Sequence, residues 1–402
     1  MRPKTAKIIL AGWLIDGSGG PIRKNQIIGI KKGCIDFICD AKESNYQKQK
    51  FLDLSHCTLL PGLIDCHTHL CMSGSSDPEI RRRQLDLSFE DAGKIIHQHL
   101  KQYRKWGIIA VRDGGDRKGH TLQYKLSKHN KDQSLICVKT AGRAFHQSGR
   151  YGKLIGRSFA LDSSLAKAVK ENQEDIDHLK LVNSGLNSLT RFGVETAPQF
   201  SAKDFKKAVK IAKNRGLSVM VHANGKKPVQ IAIGAGCTSI EHGFFMGEDN
   251  LNKMAQKKII WIPTAITMQA YFSHLQKHSI KSKICKKNLE HQLDQIRLAR
   301  EKGVITAIGT DAGSQGVHHG SSVQEEIKLF ISAGYSISQA VKCACFHGAT
   351  LLNLKNKGLL VKDRDADFIA FEKSPDNLFQ NIIEPDMVCL QGNIYKRSQF
   401  VP

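Results

Sequence analysis

The sequence predicts an α/β protein, a (β/α)₈ TIM barrel joined to a small β-sandwich domain built from both chain termini. Three observations lead to this prediction: a length of 402 residues, a long middle in which short apolar runs alternate with amphipathic ones, and two β-rich ends. A chain of this length suits one domain of barrel size with a smaller one beside it. We expect the composite β domain to comprise residues 1–60 and 355–402, and the barrel to comprise residues 61–354.

The two ends of the chain share short β-rich runs separated by turn residues. Near the amino terminus these runs cover residues 7–15 and 27–39, the second broken at Lys31-Lys32-Gly33. Near the carboxyl terminus, residues 366–371 and 387–390 have the same character. Similar ends around a different middle indicate that one small β domain forms from both.

The middle of the chain contains eight candidate strands, at residues 63–66, 108–111, 136–138, 179–182, 218–221, 238–240, 259–262 and 305–308. Helical patterns lie between them, most clearly at residues 201–212. There Ser201 can cap the helix, and the apolar face comprises Phe205, Ala208, Val209 and Ala212. Eight strands alternating with helices are typical of a (β/α)₈ barrel, although a doubly wound sheet shows the same alternation.

Composition defines a globular protein with a strong positive charge. Hydrophobic residues at 41% and charged residues at 24% exclude a disordered or collagen-like chain. The net charge of +23 raises the possibility of nucleic acid, an anionic surface or an anionic substrate. The basic clusters at residues 81–83 and 281–287 lack interleaved aromatic residues, which favours solvated helix faces. We therefore expect no nucleic-acid partner.

The eleven cysteines indicate reduced thiols in a cytoplasmic protein. Their number is odd and none forms a C-x-x-C pair. The apolar stretch at residues 8–15 is short, and no segment approaches the roughly 20 apolar residues of a membrane helix. We expect a cytoplasmic location and no membrane partner.

Candidate metal ligands follow or lie in five of the predicted strands. In a barrel the working residues lie at the carboxyl ends of the strands, and alternate residues of one strand face the same side. The residues in these places are four histidines, a lysine and an aspartate: His67, His69, Lys180, His222, His242 and Asp311. Each alone has an ordinary structural explanation, such as a core histidine, a snorkelling lysine or a helix cap. Their agreement favours a metal site, with zinc the first expectation.

Several segments resemble the signatures of the amidohydrolase superfamily. Residues 59–70, which contain His67-Thr68-His69, are similar to its first-strand motif, and residues 111–115 to the end of its second strand. The motifs of strands five, six and eight, and the return into the β domain, are matched by residues 221–225, 239–243, 309–313, 358–360 and 365–367. The resemblance is strongest to the prolidase-like metal-dependent dipeptidases, with imidazolonepropionase-like enzymes as a rival.

This resemblance implies a centre of two divalent metal ions. His67, His69 and Asp311 are similar to the ligands of the first ion, and His222 and His242 to those of the second. Lys180 resembles the bridging lysine, which CO₂ converts to a carbamate. Two metals would acidify a bridging water, and Asp311 would act as general base and then general acid.

The segments expected to face the substrate depart from the prolidase-like pattern. Asn224 stands where that pattern often has a second histidine, and Ser148-Gly149-Arg150 stands in place of Gly-Gly-His. In the loop at residues 142–151, His146, Arg150 and Tyr151 are candidates for binding a carboxylate or carbonyl. The metal ligands therefore match the pattern, whereas these positions, which are expected to face the substrate, do not.

The predicted function is binuclear, metal-dependent hydrolysis of an amide C–N bond in a dipeptide or N-acyl amino acid. Gly225 stands where deaminases of the superfamily usually have a glutamate, which counts against deamination. The alternatives are a cyclic-amide hydrolase, resembling imidazolonepropionase with one metal and no carbamate, and a non-catalytic basic scaffold or nucleic-acid binder. The expected partners are a small-molecule substrate and further copies of the chain in a homo-oligomer.

Overall fold

The computed structural model describes residues 7–43, 51–127, 136–160 and 162–400. Seven strands from the two ends of the chain pair into one sheet. Its order is β16-β15-β14-β4-β1-β2-β3. The strands are β1 (Lys7–Leu14), β2 (Arg23–Lys31), β3 (Cys34–Asp40), β4 (Leu52–Pro61), β14 (Phe368–Phe371), β15 (Met387–Leu390) and β16 (Asn393–Lys396).

The two ends of the chain meet at β4, which pairs in parallel with β1 and antiparallel with β14. Leu59, for example, lies between Leu14 and Ala370 in this ladder, and all three are buried. Because the described strands form one continuous sheet, the predicted division into the two sheets of a sandwich is not seen.

Nine further strands occupy the middle of the chain and pair in parallel as two sheets, β5-β6-β7 and β13-β12-β11-β10-β8-β9. Their near-complete burial is the pattern of parallel strands covered by helices. The strands are β5 (Leu63–Thr68), β6 (Ile108–Asp113), β7 (Cys137–Thr140), β8 (Ala144–Phe145), β9 (Gly156–Arg157), β10 (His178–Val182), β11 (Ser218–Ala223), β12 (Ser239–His242) and β13 (Ile260–Ile262).

Twelve α-helices alternate with or follow these strands in the described residues. The predicted helix at 201–212 is confirmed: Ser201 Oγ accepts from the Asp204 amide at 3.3 Å, and the predicted apolar face is buried. The helices are α1 (Pro78–Gln84), α2 (Phe89–Lys105), α3 (His120–Leu126), α4 (Leu165–Glu171), α5 (Ala202–Asn214), α6 (Lys226–Ala235), α7 (Glu248–Lys257), α8 (Ile266–His274), α9 (Ile280–Glu301), α10 (Ser321–Ser332), α11 (Ile337–Lys342) and α12 (Gly348–Leu351).

The eighth predicted strand, residues 305–308, is not a regular strand. It joins β13 through one bridge, Trp261 to Thr306, and it reaches β5 only through the Cys66 amide, which donates to the Ile308 carbonyl at 2.9 Å. On the side facing β5, the Thr306 carbonyl accepts from His347 Nδ1 at 2.7 Å, and the Ile308 amide donates to the Cys343 carbonyl at 3.2 Å. The π-helical turn at Cys343–His347 thus forms hydrogen bonds with backbone groups that a continuous ladder between this segment and β5 would use.

All eleven cysteines are free thiols, and eight of them are buried. Among the described residues, no helix is long and apolar enough to span a membrane.

Candidate active site

The six predicted metal-ligating residues lie around one cavity of about 170 Å³. Two come from β5 and the residue that follows it, one from β10, one each from β11 and β12, and the last from the irregular eighth segment. Five of the six are buried, and the side chain of Asp311 is 15% exposed. The structure therefore brings together residues that are separated by up to 244 positions in the chain.

Three of these side chains converge closely enough to share one ion. Asp311 Oδ1 lies 3.4 Å from His67 Nε2 and 3.3 Å from His69 Nε2. The three potential donor atoms all lie within 4.8 Å of one another. Lys180 Nζ lies 3.4 Å from His67 Nε2 and lines the same cavity.

The other two histidines continue the cluster. The rings of His222 and His242 have centroids 4.7 Å apart, and the His242 ring lies 4.9 Å from that of His67. Burial and the charge of Lys180 lower the pKa of His67 to about 4, and burial lowers the pKa of His242 well below its usual value. These imidazoles are therefore neutral near pH 7, which is the form that binds a metal ion.

Hydrogen bonds to protein oxygens determine which ring nitrogen faces the cavity. His69 Nδ1 donates to the Gly115 carbonyl at 2.8 Å, and His222 Nε2 donates to the Gly185 carbonyl at 3.1 Å. His242 Nδ1 donates to Thr264 Oγ1 at 2.7 Å, because that hydroxyl gives its own proton to a carbonyl. Each ring is left with one unprotonated nitrogen, the arrangement typical of metal-binding histidines.

His67 is oriented by a buried carboxylate that sequence analysis missed. Glu241 Oε2 lies 2.9 Å from His67 Nδ1, while Oε1 accepts from Arg112 Nη2 at 2.8 Å and Ser239 Oγ at 2.5 Å. Burial alone would raise the pKa of Glu241, but Arg112 and His67 hold it well below its usual range. The available signal was the charge of Arg112 and Glu241, which lie within the buried strands β6 and β12.

Two further buried carboxylates form hydrogen bonds that position the predicted metal ligands His69 and Asp311. Asp65 accepts from the Thr310 amide at 3.0 Å and from Thr310 Oγ1 at 2.6 Å, which ties β5 to the turn before Asp311. Asp113 accepts from the Gly115 amide at 2.9 Å and so fixes the carbonyl that binds His69. Asp311 itself has a φ of 60°, a left-handed conformation that non-glycine residues rarely adopt.

The four predicted substrate residues divide into two groups. Tyr151 and Asn224 line the cavity, and the Tyr151 ring lies 5.1 Å from that of His222. His146 is buried with Nδ1 donating to the Gln147 carbonyl at 2.9 Å, and the exposed Arg150 donates to the Ala197 carbonyl at 2.9 Å. The structure does not bring His146 or Arg150 to the described cavity wall, because their loop turns them toward neighbouring backbone.

Other residues of the cavity wall were not predicted from sequence. Arg81 reaches the wall from α1, so the expectation of a solvated basic face fails for this residue. Tyr271 contributes from α8, and Leu154 and Leu186 stand at the mouth with 48% and 56% exposure. None of these residues belongs to a motif with a fixed spacing from the predicted metal ligands. Their position at the cavity is therefore visible only in the folded structure.

The chain belongs to the amidohydrolase family, which matches residues 58–395. It is a hydrolase that acts on carbon–nitrogen bonds, as its family and named relatives are.

Among these relatives, the ochratoxinase of Aspergillus niger is 24% identical over 95% of this chain and 84% of its own. An imidazolonepropionase of Pseudoalteromonas atlantica is 24% identical over 92% of each chain. The crystal structure of a Xaa-Pro dipeptidase with bound methionine superimposes with a TM-score of 0.81 at 25% identity, covering 98% of this chain and 100% of the other. These comparisons support the family assignment and the TIM-barrel type of fold.

Proposed function

We propose that this protein is a binuclear metal-dependent amidohydrolase that cleaves the amide bond of a dipeptide or an N-acyl amino acid. The observation that carries the proposal is the convergence of four imidazoles, Asp311 and Lys180 on one cavity. The curated and structural relatives named ochratoxinase and Xaa-Pro dipeptidase support amide-bond hydrolysis.

The donor set of the cavity fits divalent metal ions. His67 Nε2, His69 Nε2 and Asp311 Oδ1 would hold the first ion, and the unprotonated nitrogens of His222 and His242 would hold the second. Nitrogen donors with one carboxylate suit zinc, which is our first expectation for both ions. When bound, the two ions would acidify a water between them and polarise the amide carbonyl.

Lys180 is suited to become the bridging ligand. Burial lowers the pKa of its amine to about 8, so a larger neutral fraction is present near pH 7 than for an exposed lysine. The neutral amine can add to the carbon of CO₂ and release one proton, giving a carbamate with two oxygens. We propose that this carbamate, between the two histidine groups, links the two ions.

Asp311 is the proposed proton carrier of the reaction. Its Oδ1 faces His67 and His69, while Oδ2 accepts from Ser314 Oγ at 2.8 Å and is held in place. The carboxylate takes a proton as water attacks the carbonyl carbon, and it returns that proton to the amine nitrogen as the C–N bond breaks.

A cyclic-amide hydrolase is the second candidate. One group of three closely spaced ligand atoms is found among the described residues, which suits a single ion. The imidazolonepropionase relatives cover nearly the whole chain. The number of bound ions and the choice between linear and cyclic amides separate the two candidates.

A substrate panel tests the proposal. Protein loaded with zinc is assayed on dipeptides that vary in the carboxyl-terminal residue, on N-acyl amino acids and on a cyclic imidazolone. We expect hydrolysis of linear amides that chelation abolishes and added zinc restores, and we expect Asp311→Asn to be folded and inactive. Opening of the cyclic amide with no attack on any linear one would contradict the proposal.

The proposal includes the organisation expected from the sequence. Residues 1–60 and 355–402 would form a composite β domain beside a barrel at 61–354, and the protein would be a cytoplasmic homo-oligomer. Light scattering of the purified protein measures its oligomeric state.

A further inference from the structure

Arg81 points into the wall of the active-site cavity, unlike the two arginines that follow it on α1. Arg82 and Arg83 are 69% and 73% exposed, and both pair with Glu79, at 2.8 and 3.3 Å. Arg81 is partly buried and lines the cavity that contains the metal-ligating residues. Three chemically identical neighbours therefore occupy different environments, and only the first faces the site.

The backbone holds one end of the Arg81 guanidinium and leaves the other end without a partner. Nη1 donates to the Ser73 carbonyl at 2.9 Å and to the Gly313 carbonyl at 3.0 Å. Among the described residues, Nε and Nη2 have no hydrogen-bond partner, and no carboxylate lies within ion-pair distance of the side chain. A fixed guanidinium with unpaired nitrogens matches a carboxylate in shape and charge.

We propose that Arg81 binds the carboxylate of the substrate's amine half and so selects amides whose leaving group is an amino acid. Of the charged residues that line the described cavity, Lys180 and Asp311 belong to the metal cluster and Arg81 does not. This inference rests on the proposed function and adds to it the residue that recognises the carboxylate of the substrate.

The position of Arg81 assigns it to the amine side of the scissile bond. Its Nη1 is anchored on Gly313, two residues after Asp311, and Ser314 of the same turn holds the Asp311 carboxylate. Asp311 delivers the proton to the departing nitrogen in the proposed reaction. The group that Arg81 binds is therefore attached to the nitrogen, as the α-carboxylate of an amino acid is.

The rest of the wall fits an apolar amino acid beside that carboxylate. Burial and Asp311 raise the pKa of Tyr271 and Arg81 partly offsets this, so the tyrosine is a neutral hydroxyl near both charges. Leu154 and Leu186 at the mouth can contact an apolar side chain. The expected leaving group is an aliphatic or aromatic amino acid with a free carboxylate.

A matched pair of substrates tests the role of Arg81. We use zinc-loaded protein with N-acetyl-L-leucine and N-acetyl-L-leucinamide, which share the scissile bond and differ in the carboxylate. Arg81→Gln should lower kcat/KM for the acid by about ten- to hundredfold and for the amide by less than about threefold, because only the acid loses a charged hydrogen bond. Arg82→Gln, the control from the same helix, should leave both values unchanged.

A binding measurement separates failure of this inference from failure of the proposed function. Calorimetry with L-leucine and L-leucinamide needs no turnover, so it tests Arg81 even if neither acetyl compound is hydrolysed. Wild type should bind L-leucine at least about tenfold more tightly than the amide, and Arg81→Gln should remove that difference. Equal binding of the two compounds by wild type, or unchanged discrimination in Arg81→Gln, would overturn the proposal; the wild-type comparison holds even if the variant does not fold.

Discussion

Glu241 orients His67, a proposed metal ligand, without lining the cavity itself. It lies beneath the cluster, with one carboxylate oxygen at His67 Nδ1 and the other shared by Arg112 and Ser239. Arg112 in turn donates to the Cys66 carbonyl at 2.7 Å, so one buried ion pair joins β5, β6 and β12. Partners of this kind fix the tautomer and ring orientation of metal-binding histidines.

Substitution of Glu241 by glutamine should weaken metal binding and stability together. The amide keeps the size of the side chain but removes the charge, which leaves Arg112 buried and uncompensated. We expect zinc affinity to fall about ten- to hundredfold and the free energy of unfolding to fall by about 3 kcal/mol. Chelator competition and urea denaturation measure the two effects.

The matched control is Glu248→Gln, because that carboxylate is 62% exposed and pairs with Lys302 away from the cavity wall. It should leave both quantities nearly unchanged. Zinc affinity of Glu241→Gln within about twofold of wild type would show that the buried carboxylate does not position His67.

At the scale of secondary-structure elements, seven of the eight barrel strands predicted from the sequence form parallel strands, and the eighth does not form a regular strand. Apolar runs such as 218–221 are buried on both faces and read clearly as parallel strands. Residues 305–308 are similarly apolar, but on the side facing β5 the Thr306 carbonyl and the Ile308 amide bond to His347 and Cys343, which lie much later in the chain. The local pattern of apolar residues does not predict hydrogen bonds to residues that are distant in the sequence.

The candidate site shows the same division between local and tertiary information. That the six predicted metal-ligating residues share one cavity could be expected from the sequence, because each follows or lies in a strand in a motif such as His67-Thr68-His69. Arg81 and Glu241 were not, because the orientation of an arginine in a run of three, or of a glutamate within a strand, depends on packing. The loop residues His146 and Arg150 were chosen by residue type alone, and the fold places them off the cavity wall.

The junction between the two parallel sheets depends on Asp177, which immediately precedes β10. Its backbone amide donates to the Thr140 carbonyl of β7 at 3.0 Å, and its carboxylate accepts from the Thr140 amide at 2.9 Å. Lys125 and Lys139 also donate to this carboxylate, at 2.5 and 3.2 Å. The side chain therefore links β7, β10 and α3 where strand pairing is interrupted.

Asp177→Asn should destabilise the protein by about 1–2 kcal/mol at pH 7, because it removes charged hydrogen bonds at this junction. Burial alone would raise the pKa of Asp177, but Lys125 and the Thr140 amide hold it below its usual value. The folded state thus favours the ionised form, and its advantage is complete above the unfolded pKa of about 4 and lost as the pH falls below it.

Urea denaturation across pH measures this effect. The difference between wild type and Asp177→Asn should be constant near neutrality and should shrink below about pH 4. The neighbouring Asp175 is exposed, and Asp175→Asn should show no such difference. If the difference in free energy of unfolding between wild type and Asp177→Asn is absent at pH 7, or grows in acid, the carboxylate does not stabilise the junction.

At the scale of the whole molecule, the net charge of +23 includes exposed basic residues that lie away from the cavity wall. Arg82, Arg83 and Lys286 are exposed and pair with neighbours on their own helices. The described cavity wall instead combines Arg81 with the cluster of proposed metal ligands. The excess of positive charge is consistent with attraction of anionic small molecules toward the protein, an effect that salt screens.

The central claim is that Lys180 and the four histidines hold two metal ions. Metal analysis of protein purified without chelators tests it most directly, with wild type and Lys180→Ala compared at equal protein concentration. We predict about two equivalents in wild type and one or fewer in Lys180→Ala, with activity partly restored by a short carboxylic acid that replaces the carbamate. A fully active wild type that never binds more than about one equivalent would contradict it.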